Sequence, residues 1–403
     1  MKRNTKQDLL PVKKVNTRNG NYDIFPFHAL GDGLIHAGYQ LLAGQLSKQE
    51  LVVLEGYVGV DWKDVVQQLN EEFEKMGVSV TFHNANQFFK KTDEIEAMVE
   101  PFLGGEDLIF GYRTTLSLED YLDYSEVAKL RLHSNVEMNI IFGTGSSLLG
   151  IDGYLVYFDL PKNELQFRTR AGEVYNLGID YCKPPKAAYK HFYFVDWIVL
   201  NKHKKKLLSN ITLFVDQQRP GIPAFASGKA VRKGLNEMSQ SFFRVRPWFE
   251  PGVWGGQWIK EKIPDLNQDV TNYDWTFEMI VHENGLLFES DGNLLEVSFD
   301  VLMFQEKENV LGKAANRFQD EFPIRFDFLD TFDGGNLSVQ CHPKPEFIQK
   351  EFGESFTQDE TYYILDAKRD ALVYLGFQKD IVAGDFRKAL EESHKNNSEI
   401  DVA

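Results

Sequence analysis

The chain has 403 residues, with 44 Lys and Arg against 60 Asp and Glu, and a formal net charge of −16. Hydrophobic residues make up 43% of it, which excludes wholesale disorder, and the excess of negative charge argues against nucleic acid as its main partner. Because it has only two cysteines and no apolar run near the roughly 18 residues that cross a bilayer, we expect a cytoplasmic protein with no membrane partner.

A polar arm, residues 1–35, precedes a strand–helix–strand pattern. QELVVLEGY (49–57) predicts a strand, and DWKDVVQQLNEEFEKMG (61–77) predicts a helix because its apolar residues recur at helical spacing. VSVTFHN (78–84) predicts the next strand. Further strands that are apolar along their length are predicted at 106–112, 138–145 and 152–161. Such strands are typical of parallel sheets, so residues 36–165 predict a doubly wound α/β domain.

The next part of the chain, residues 166–244, predicts a connector with strands and a helix. LQFRTRAGEVYNLG (165–178) indicates a hairpin, and residues 190–218 indicate two β-rich arms around a basic, solvated bend, His-Lys-Lys-Lys (203–206). Short apolar runs separated by Gly, Pro and Asn turns then predict an antiparallel sandwich or barrel over 245–403. The fold class that follows is α/β plus all-β.

Two Gly-rich segments lie where an α/β domain could bind phosphate. GYVGVDWKD (56–64) follows the first strand but lacks the Gly-Lys-Ser/Thr of a phosphate loop, and Asp61 would cap the helix and repel phosphate. FGTGSSLLG (142–150) is open to two interpretations, ATP binding or an ordinary turn, of which we favour the turn. The layout of the domain resembles small P-loop kinases of the uridine-kinase type, with a degenerate phosphate loop, which implies a non-catalytic or substrate-shaping role.

A second candidate site begins at LSVQCHP (337–343). Alternate residues of a strand share a face, so Gln340 and His342 would point one way and Cys341 the other. If TYYILDA (361–367) forms a strand that pairs with this one, Glu360 in DETYYIL (359–365) enters the same pocket. An imidazole nitrogen, a carboxylate and an amide oxygen form a partial ligand set for zinc. A purely structural histidine beside a strand end is the alternative.

These two segments together resemble the zinc-binding signature of the class I mannose-6-phosphate isomerases, which are cupin-type proteins. Three further stretches agree with that family in order and spacing: PWFEPGVWGGQW (247–258), EMIVHENG (278–285) and FPIRFDFLDTFDGG (322–335). The resemblance covers 245–403 and implies a partial cupin-type β-barrel domain, with zinc held by Gln340, His342 and Glu360. A linked kinase-like lobe is the arrangement of a longer bacterial branch of the family.

The resemblance implies a zinc-dependent aldose–ketose isomerase that interconverts mannose 6-phosphate and fructose 6-phosphate. It assigns no catalytic residue. Trp254, which it places near the substrate end, and Arg325, a possible phosphate partner, are predicted to contact the hexose 6-phosphate. The alternative role for Trp254 is packing under the barrel lip. Arg317 is an equally possible phosphate partner in place of Arg325.

The sequence also departs from the family pattern. The family's fourth zinc ligand, a His, and its substrate-handling Arg would come after Ala403, and two frequent Lys positions fall at Gln358 and Asp327. We therefore expect a shortened isomerase homologue. A non-catalytic protein that binds or senses sugar phosphates is the second hypothesis, and a small-molecule kinase is the third.

Overall fold

The computed structural model describes residues 2–15, 22–107, 109–377 and 381–400. The chain divides into two compact units, Met1–Asp359 and Glu360–Ala403. Parts of three predictions lie outside the described residues: 1 and 16–21 of the polar arm, 108 of the strand at 106–112, and 378–380 and 401–403 of the barrel domain.

The strands are, in chain order, β1 (Phe27–Ala29), β2 (Ile35–Ala37), β3 (Leu51–Gly56), β4 (Val80–Asn84), β5 (Met138–Phe142), β6 (Tyr154–Asp159), β7 (Leu213–Asp216), β8 (Ala224–Ser227), β9 (Trp248–Glu250), β10 (Trp275–Met279), β11 (Gly285–Ser290), β12 (Asn293–Ser298) and β13 (Phe326–Leu329). The helices are α1 (Tyr39–Leu46), α2 (Trp62–Met76), α3 (Thr92–Val99), α4 (Tyr124–Val127), α5 (Lys162–Arg170), α6 (Pro185–His191), α7 (Trp197–Leu207), α8 (Gly228–Ser239), α9 (Trp258–Lys262), α10 (Phe299–Leu311), α11 (Ala315–Phe318), α12 (Pro345–Phe352) and α13 (Ala383–Asn396). A π turn, Phe192–Asp196, joins α6 to α7.

The largest sheet has seven strands in the order β2-β8-β7-β6-β3-β5-β4. Its five strands from β7 to β4 pair in parallel, and β8 and β2 add an antiparallel edge. The predicted β–α–β unit is present as β3, α2 and β4, with β5 inserted between the two strands. The fold is therefore mixed α/β, with further small sheets.

Helix α2 forms where its sequence pattern predicts it. Asp61 caps its first turn by accepting a hydrogen bond from the backbone N–H of Asp64 at 3.1 Å. Val65, Leu69 and Phe73 form the buried stripe, and Gly77 ends the helix with a left-handed φ of 72°.

The predicted domain boundaries at 165/166 and 244/245 stay predictions, and two features of the fold cross them. Strands β7 and β8, from the predicted connector, belong to the same sheet as β3. One hydrophobic core holds side chains from that sheet and from β11, β12 and α10, including Phe214, Phe288 and Leu302. The sheet and the β11–β12 hairpin therefore share a core within the first unit.

One secondary-structure prediction in the connector is wrong, and another is right only in its second half. The expected hairpin at 165–178 begins as helix α5, in which even the polar residues from Lys162 to Thr169 are buried. Of the two expected β-rich arms around the basic bend, the first is helical and consists of the end of α6, the π turn and α7, whereas the second contains strand β7 as expected. Aromatic and β-branched residues in the first arm favour a strand, but burial of both helices in a hydrophobic core outweighs that local preference.

The C-terminal half forms small sheets. β9, β10 and β13 make one three-stranded sheet, and β1, β11 and β12 make another. No closed barrel occurs among the described residues, so the cupin-type barrel stays a prediction. The expected strands at 106–112, 337–343 and 360–367 are irregular where the structure describes them. In the second unit, α13 is the one helix in its described residues.

Candidate functional site

The carboxyl ends of the parallel strands lie at the edge where open α/β sheets bind ligands. Strands β3, β6 and β7 end there in, or next to, an acidic residue: Glu55, Asp159 and Asp216. All three side chains are buried. A buried carboxylate is costly unless hydrogen-bond donors and cations surround it, so their partners define what this edge of the sheet can do.

The carboxylate of Glu55, a residue of β3, binds the Gly-rich loop (142–150) that follows β5. Its Oε1 accepts a hydrogen bond from the backbone N–H of Gly145 at 2.8 Å, and its Oε2 accepts from the N–H and the hydroxyl of Ser147 at 3.0 and 2.7 Å. The φ of Gly145 is 85°, which glycine adopts without strain. The loop is therefore an anion-binding nest whose anion is the protein's own carboxylate.

A serine, a histidine and a carboxylate meet at this nest. Nε2 of His203 lies 3.0 Å from the Ser147 hydroxyl and 3.1 Å from Oε2 of Glu55. In a catalytic triad the acid binds the other ring nitrogen, Nδ1, whereas Nδ1 of His203 is buried without a hydrogen-bond partner in the described structure. Burial would raise the pKa of Glu55, but His203 and Ser147 lower it below its ordinary value. The group stabilises the Glu55 carboxylate, and its geometry differs from that of a catalytic triad.

The loop between β3 and α2 is also occupied by a group of this chain. The guanidinium of Arg168, which is 1% exposed, donates to the backbone carbonyl of Gly59 at 2.9 Å. It also donates to the carbonyl of Gln218, beyond β7, at 3.0 Å. Arg168 therefore holds this loop closed, and both segments that resembled phosphate loops are bound to internal charged groups.

Asp159 is the centre of a second buried cluster. Nζ of Lys204 donates to its Oδ1 at 2.8 Å and to the hydroxyl of Ser298 at 2.9 Å. The N–H and hydroxyl of Ser298 donate to Oδ2 of Asp159 at 2.8 and 2.6 Å. Lys162 pairs with Asp300 nearby, and burial lowers the pKa of this lysine although Asp300 opposes the shift. The cluster joins the sheet to α7, β12 and α10.

The π turn brings together a buried histidine and a buried aspartate. Nε2 of His191 lies 3.3 Å from Oδ1 of Asp196, and Nδ2 of Asn176 donates to the other aspartate oxygen at 2.8 Å. Burial raises the pKa of Asp196 to about 7 and lowers the pKa of His191 to about 3. Burial therefore disfavours the charged form of each residue.

The predicted metal ligands fall in both units. Gln340 is exposed and His342 is half-buried, and both lie between β13 and α12 in the first unit. Nδ1 of His342 lies 3.1 Å from the carbonyl oxygen of Gln358, so Nδ1 carries a proton and Nε2 is the nitrogen that can bind a metal. Glu360 is exposed and is the first residue of the second unit.

These three residues fit zinc by their donor chemistry, since imidazole nitrogen and carboxylate oxygen are its usual ligands and an amide oxygen is compatible. The described residues contain no group of three His, Cys, Asp or Glu side chains placed to hold a metal ion. Gln340 does not belong to those residue types, so the ligand set stays a prediction.

Trp254 is 5% exposed and packs edge-on against Trp275, with ring centroids 5.4 Å apart. The two glycines that follow it are required by close packing, because a Cβ at Gly256 would lie 2.1 Å from Oδ1 of Asp330. Packing, the alternative to a sugar contact, is what the structure shows here. Contact with substrate stays a prediction.

Arg325 is half-buried next to β13. Its Nη2 donates to Nε2 of His282 at 2.8 Å, and its Nη1 donates to the carbonyl of Ile324 at 3.1 Å. Burial lowers the pKa of Arg325. Its predicted contact with a phosphate is not tested by these interactions.

The residues that sequence reasoning missed are the buried charges. The basic run 203–206 was expected in a solvated bend, but His203 and Lys204 face the interior of the protein while Lys205 and Lys206 face outward. Acidic residues at the ends of apolar strands, Glu55 and Asp159, were the available signal, since each requires a buried donor or cation.

The sequence profile of a family described as a domain of unknown function, DUF8485, matches residues 38–240, half of the chain. The chain belongs to this family. The match contains Glu55, Ser147 and His203 and all strands of the seven-stranded sheet except β2.

The mannose-6-phosphate isomerase ManA of Bacillus subtilis (strain 168) is 25% identical to this chain over 131 residues. The aligned part is 32% of this chain and 39% of ManA, so the chain spans about two fifths of that relative's length. No solved structure matches. Among the helices in the described ranges, none is both long enough and apolar enough to cross a membrane.

Proposed function

We propose that this chain is a zinc-binding relative of the class I mannose-6-phosphate isomerases and that it interconverts an aldose and a ketose 6-phosphate. The similarity to ManA carries the proposal. The motifs from PWFEPGVWGGQW to DETYYIL, which follow one another in the order found in that family, support it. The hydrogen bond from Nδ1 of His342 to the carbonyl of Gln358 is consistent with it.

In this proposal the chain's own residues hold the metal and bind the substrate. Gln340 offers its amide oxygen, His342 its Nε2 and Glu360 its carboxylate. Zinc bound in this way would supply Lewis acidity toward the sugar oxygens while a proton moves between C1 and C2. The remaining work is to bind the hexose 6-phosphate and to move that proton, and no residue is assigned to the second task.

The arrangement at the sheet edge weighs against the kinase hypothesis. A phosphate loop needs N–H groups that converge on the nucleotide, but those of Gly145 and Ser147 bind Glu55. No corresponding observation opposes the non-catalytic hypothesis, in which the protein binds a sugar phosphate without converting it.

A coupled assay tests the proposal. The protein is stripped of metal with a chelator, zinc is restored, and conversion of mannose 6-phosphate to fructose 6-phosphate is followed. We expect turnover that needs zinc, that is abolished in His342→Ala and that is unchanged in His394→Ala, a control at an exposed position on α13. Zinc and sugar-phosphate binding without turnover would favour the non-catalytic hypothesis. Absence of both would contradict the proposal.

A further inference from the structure

His342 lies at one end of a loop, residues 342–358, that includes α12. The two ends of this loop, which we call the His342 loop, are joined by hydrogen bonds. Nδ1 of His342 donates to the carbonyl of Gln358 at 3.1 Å, and the hydroxyl of Thr357 donates to the carbonyl of Pro343 at 2.5 Å. The orientation of the imidazole therefore depends on where residues 357 and 358 are held.

The rest of the His342 loop has little packing of its own. Helix α12 has eight residues and no fully buried side chain, although Phe352 packs in part against the hydrophobic core. A segment that buries so little apolar surface is held by specific contacts with the remainder of the fold, because packing alone cannot offset its conformational entropy.

Arg113, in the segment between α3 and α4, makes several of those contacts, next to the ring contact of Phe356 with Phe318 and the hydrogen bond from Ser355 to Glu321. Its backbone N–H donates to the carbonyl of Phe352 at 2.9 Å, and its Nη1 donates to Oε2 of Glu354 at 2.9 Å. The same Nη1 lies 2.6 Å from Oε1 of Glu321. Phe110 stacks on Phe352 with ring centroids 4.7 Å apart.

Arg113 thus ties the His342 loop to a residue that precedes β13. Glu321 lies before the segment that contains Gln340 and His342, and Glu354 lies after it, so one guanidinium closes that segment at both ends. Only three residues separate Glu354 from Gln358, whose carbonyl orients His342.

We propose that Arg113 is a positioning residue for the metal site: it holds the end of the His342 loop and thereby fixes the imidazole of His342 in a zinc-binding orientation. The inference rests on the proposed function. Removal of a group that orients a metal-binding histidine typically weakens metal binding by about 10- to 100-fold.

Zinc affinity, measured by competition with a coloured chelator, tests the role of Arg113. We expect Arg113→Gln to weaken zinc binding about 10-fold or more. Arg113→Lys should fall between that variant and the parent, because an ammonium can pair with Glu321 or Glu354 but cannot reproduce the fork of a guanidinium. Arg131→Gln, at an exposed arginine that bonds the carbonyl of Ala128 in its own turn, should bind zinc as the parent does.

A second readout does not require zinc. Nitrogen NMR of the metal-free protein reports which ring nitrogen of His342 is protonated, and we expect Nδ1 in the parent and a shift toward Nε2 in Arg113→Gln. If the parent binds no zinc but the tautomer shifts, the proposed function fails and the positioning role stands. Unchanged zinc affinity and an unchanged tautomer in folded Arg113→Gln and Arg113→Lys would overturn the inference.

Discussion

The carboxylate of Glu55 lies 2.8 Å from the backbone nitrogen of Gly145, in a loop whose N–H groups would otherwise be free to bind an oxyanion. Its other oxygen is bound by Ser147 and His203. The loop of Gly145 and Ser147, which resembles a phosphate site, and the triad-like group of Ser147, His203 and Glu55 therefore form one structural carboxylate site. This relationship weighs against ATP binding at this loop.

Glu55→Gln should destabilise the protein. The amide removes the negative charge that faces His203 and places an NH₂ group against donors that need an acceptor, so we expect a loss of about 2–4 kcal/mol in the free energy of unfolding. Urea unfolding measures it. The matched variant Glu50→Gln, at an exposed side chain beside the same strand, should stay within about 0.5 kcal/mol of the parent. Equal stability of the two variants would show that the nest contributes nothing.

ATP with magnesium should leave the melting temperature unchanged. The N–H groups of the 142–150 loop bind Glu55, and Arg168 holds the carbonyl of Gly59 in the other candidate loop. A ligand that binds only the folded state raises the melting temperature as its concentration rises. A rise that saturates with ATP would therefore contradict the assignment of both loops as internally occupied.

Ser298→Ala should destabilise the contact between the sheet and the β11–β12 hairpin. Its hydroxyl lies between Asp159 and Lys204, and its loss leaves a buried carboxylate and a buried ammonium each short of one partner. We expect about 1–3 kcal/mol less stability by urea unfolding. Ser209→Ala, at an exposed serine, is the control. A fully neutral Ser298→Ala would show that this cluster does not hold the hairpin to the sheet.

Asp196→Asn should change how stability depends on pH. The folded-state pKa of Asp196 is about 7 against an ordinary 3.8, so ionisation costs stability progressively as pH rises from about 4 to about 7. His191 has the opposite effect, because its pKa of about 3 in the folded state means that stability is lost as pH falls below its ordinary 6.5. The asparagine removes only the first effect.

The difference in free energy of unfolding between Asp196→Asn and the parent should therefore be about 2–3 kcal/mol more favourable to the variant at pH 8 than at pH 5. Unfolding free energies at the two pH values provide the comparison. Parallel pH profiles for the variant and the parent would show that Asp196 keeps an ordinary pKa in the folded protein.

Local sequence patterns predicted the elements whose chemistry is local. Helix α2 has a cap at Asp61, a stripe of apolar residues and a terminal Gly77, and it forms as expected. Strands β3, β5 and β6 are apolar at most positions, as is typical of strands buried on both faces, with one buried polar residue in each.

The missed elements depend on partners that are distant in sequence. Helix α5 buries Lys162 and Arg168, which no local pattern could indicate, because their partners Asp300 and Gly59 are far away in the chain. Helix α7 likewise buries Lys204 through Asp159 and Ser298. For the metal site, the sequence supplied residue types and a family resemblance, while the orienting contact of His342 with Gln358 emerged only in the structure.

Zinc content per chain tests the central claim most directly. The metal-free protein is incubated with excess zinc, freed of unbound metal and analysed by mass spectrometry for the parent and for Gln340→Ala, His342→Ala, Glu360→Ala and His394→Ala. We predict about one zinc per chain in the parent and in His394→Ala, and a marked loss in the other three. Absence of zinc from the parent would contradict the assignment of Gln340, His342 and Glu360 as zinc ligands. Equal zinc content in the parent and all four variants would contradict it as well.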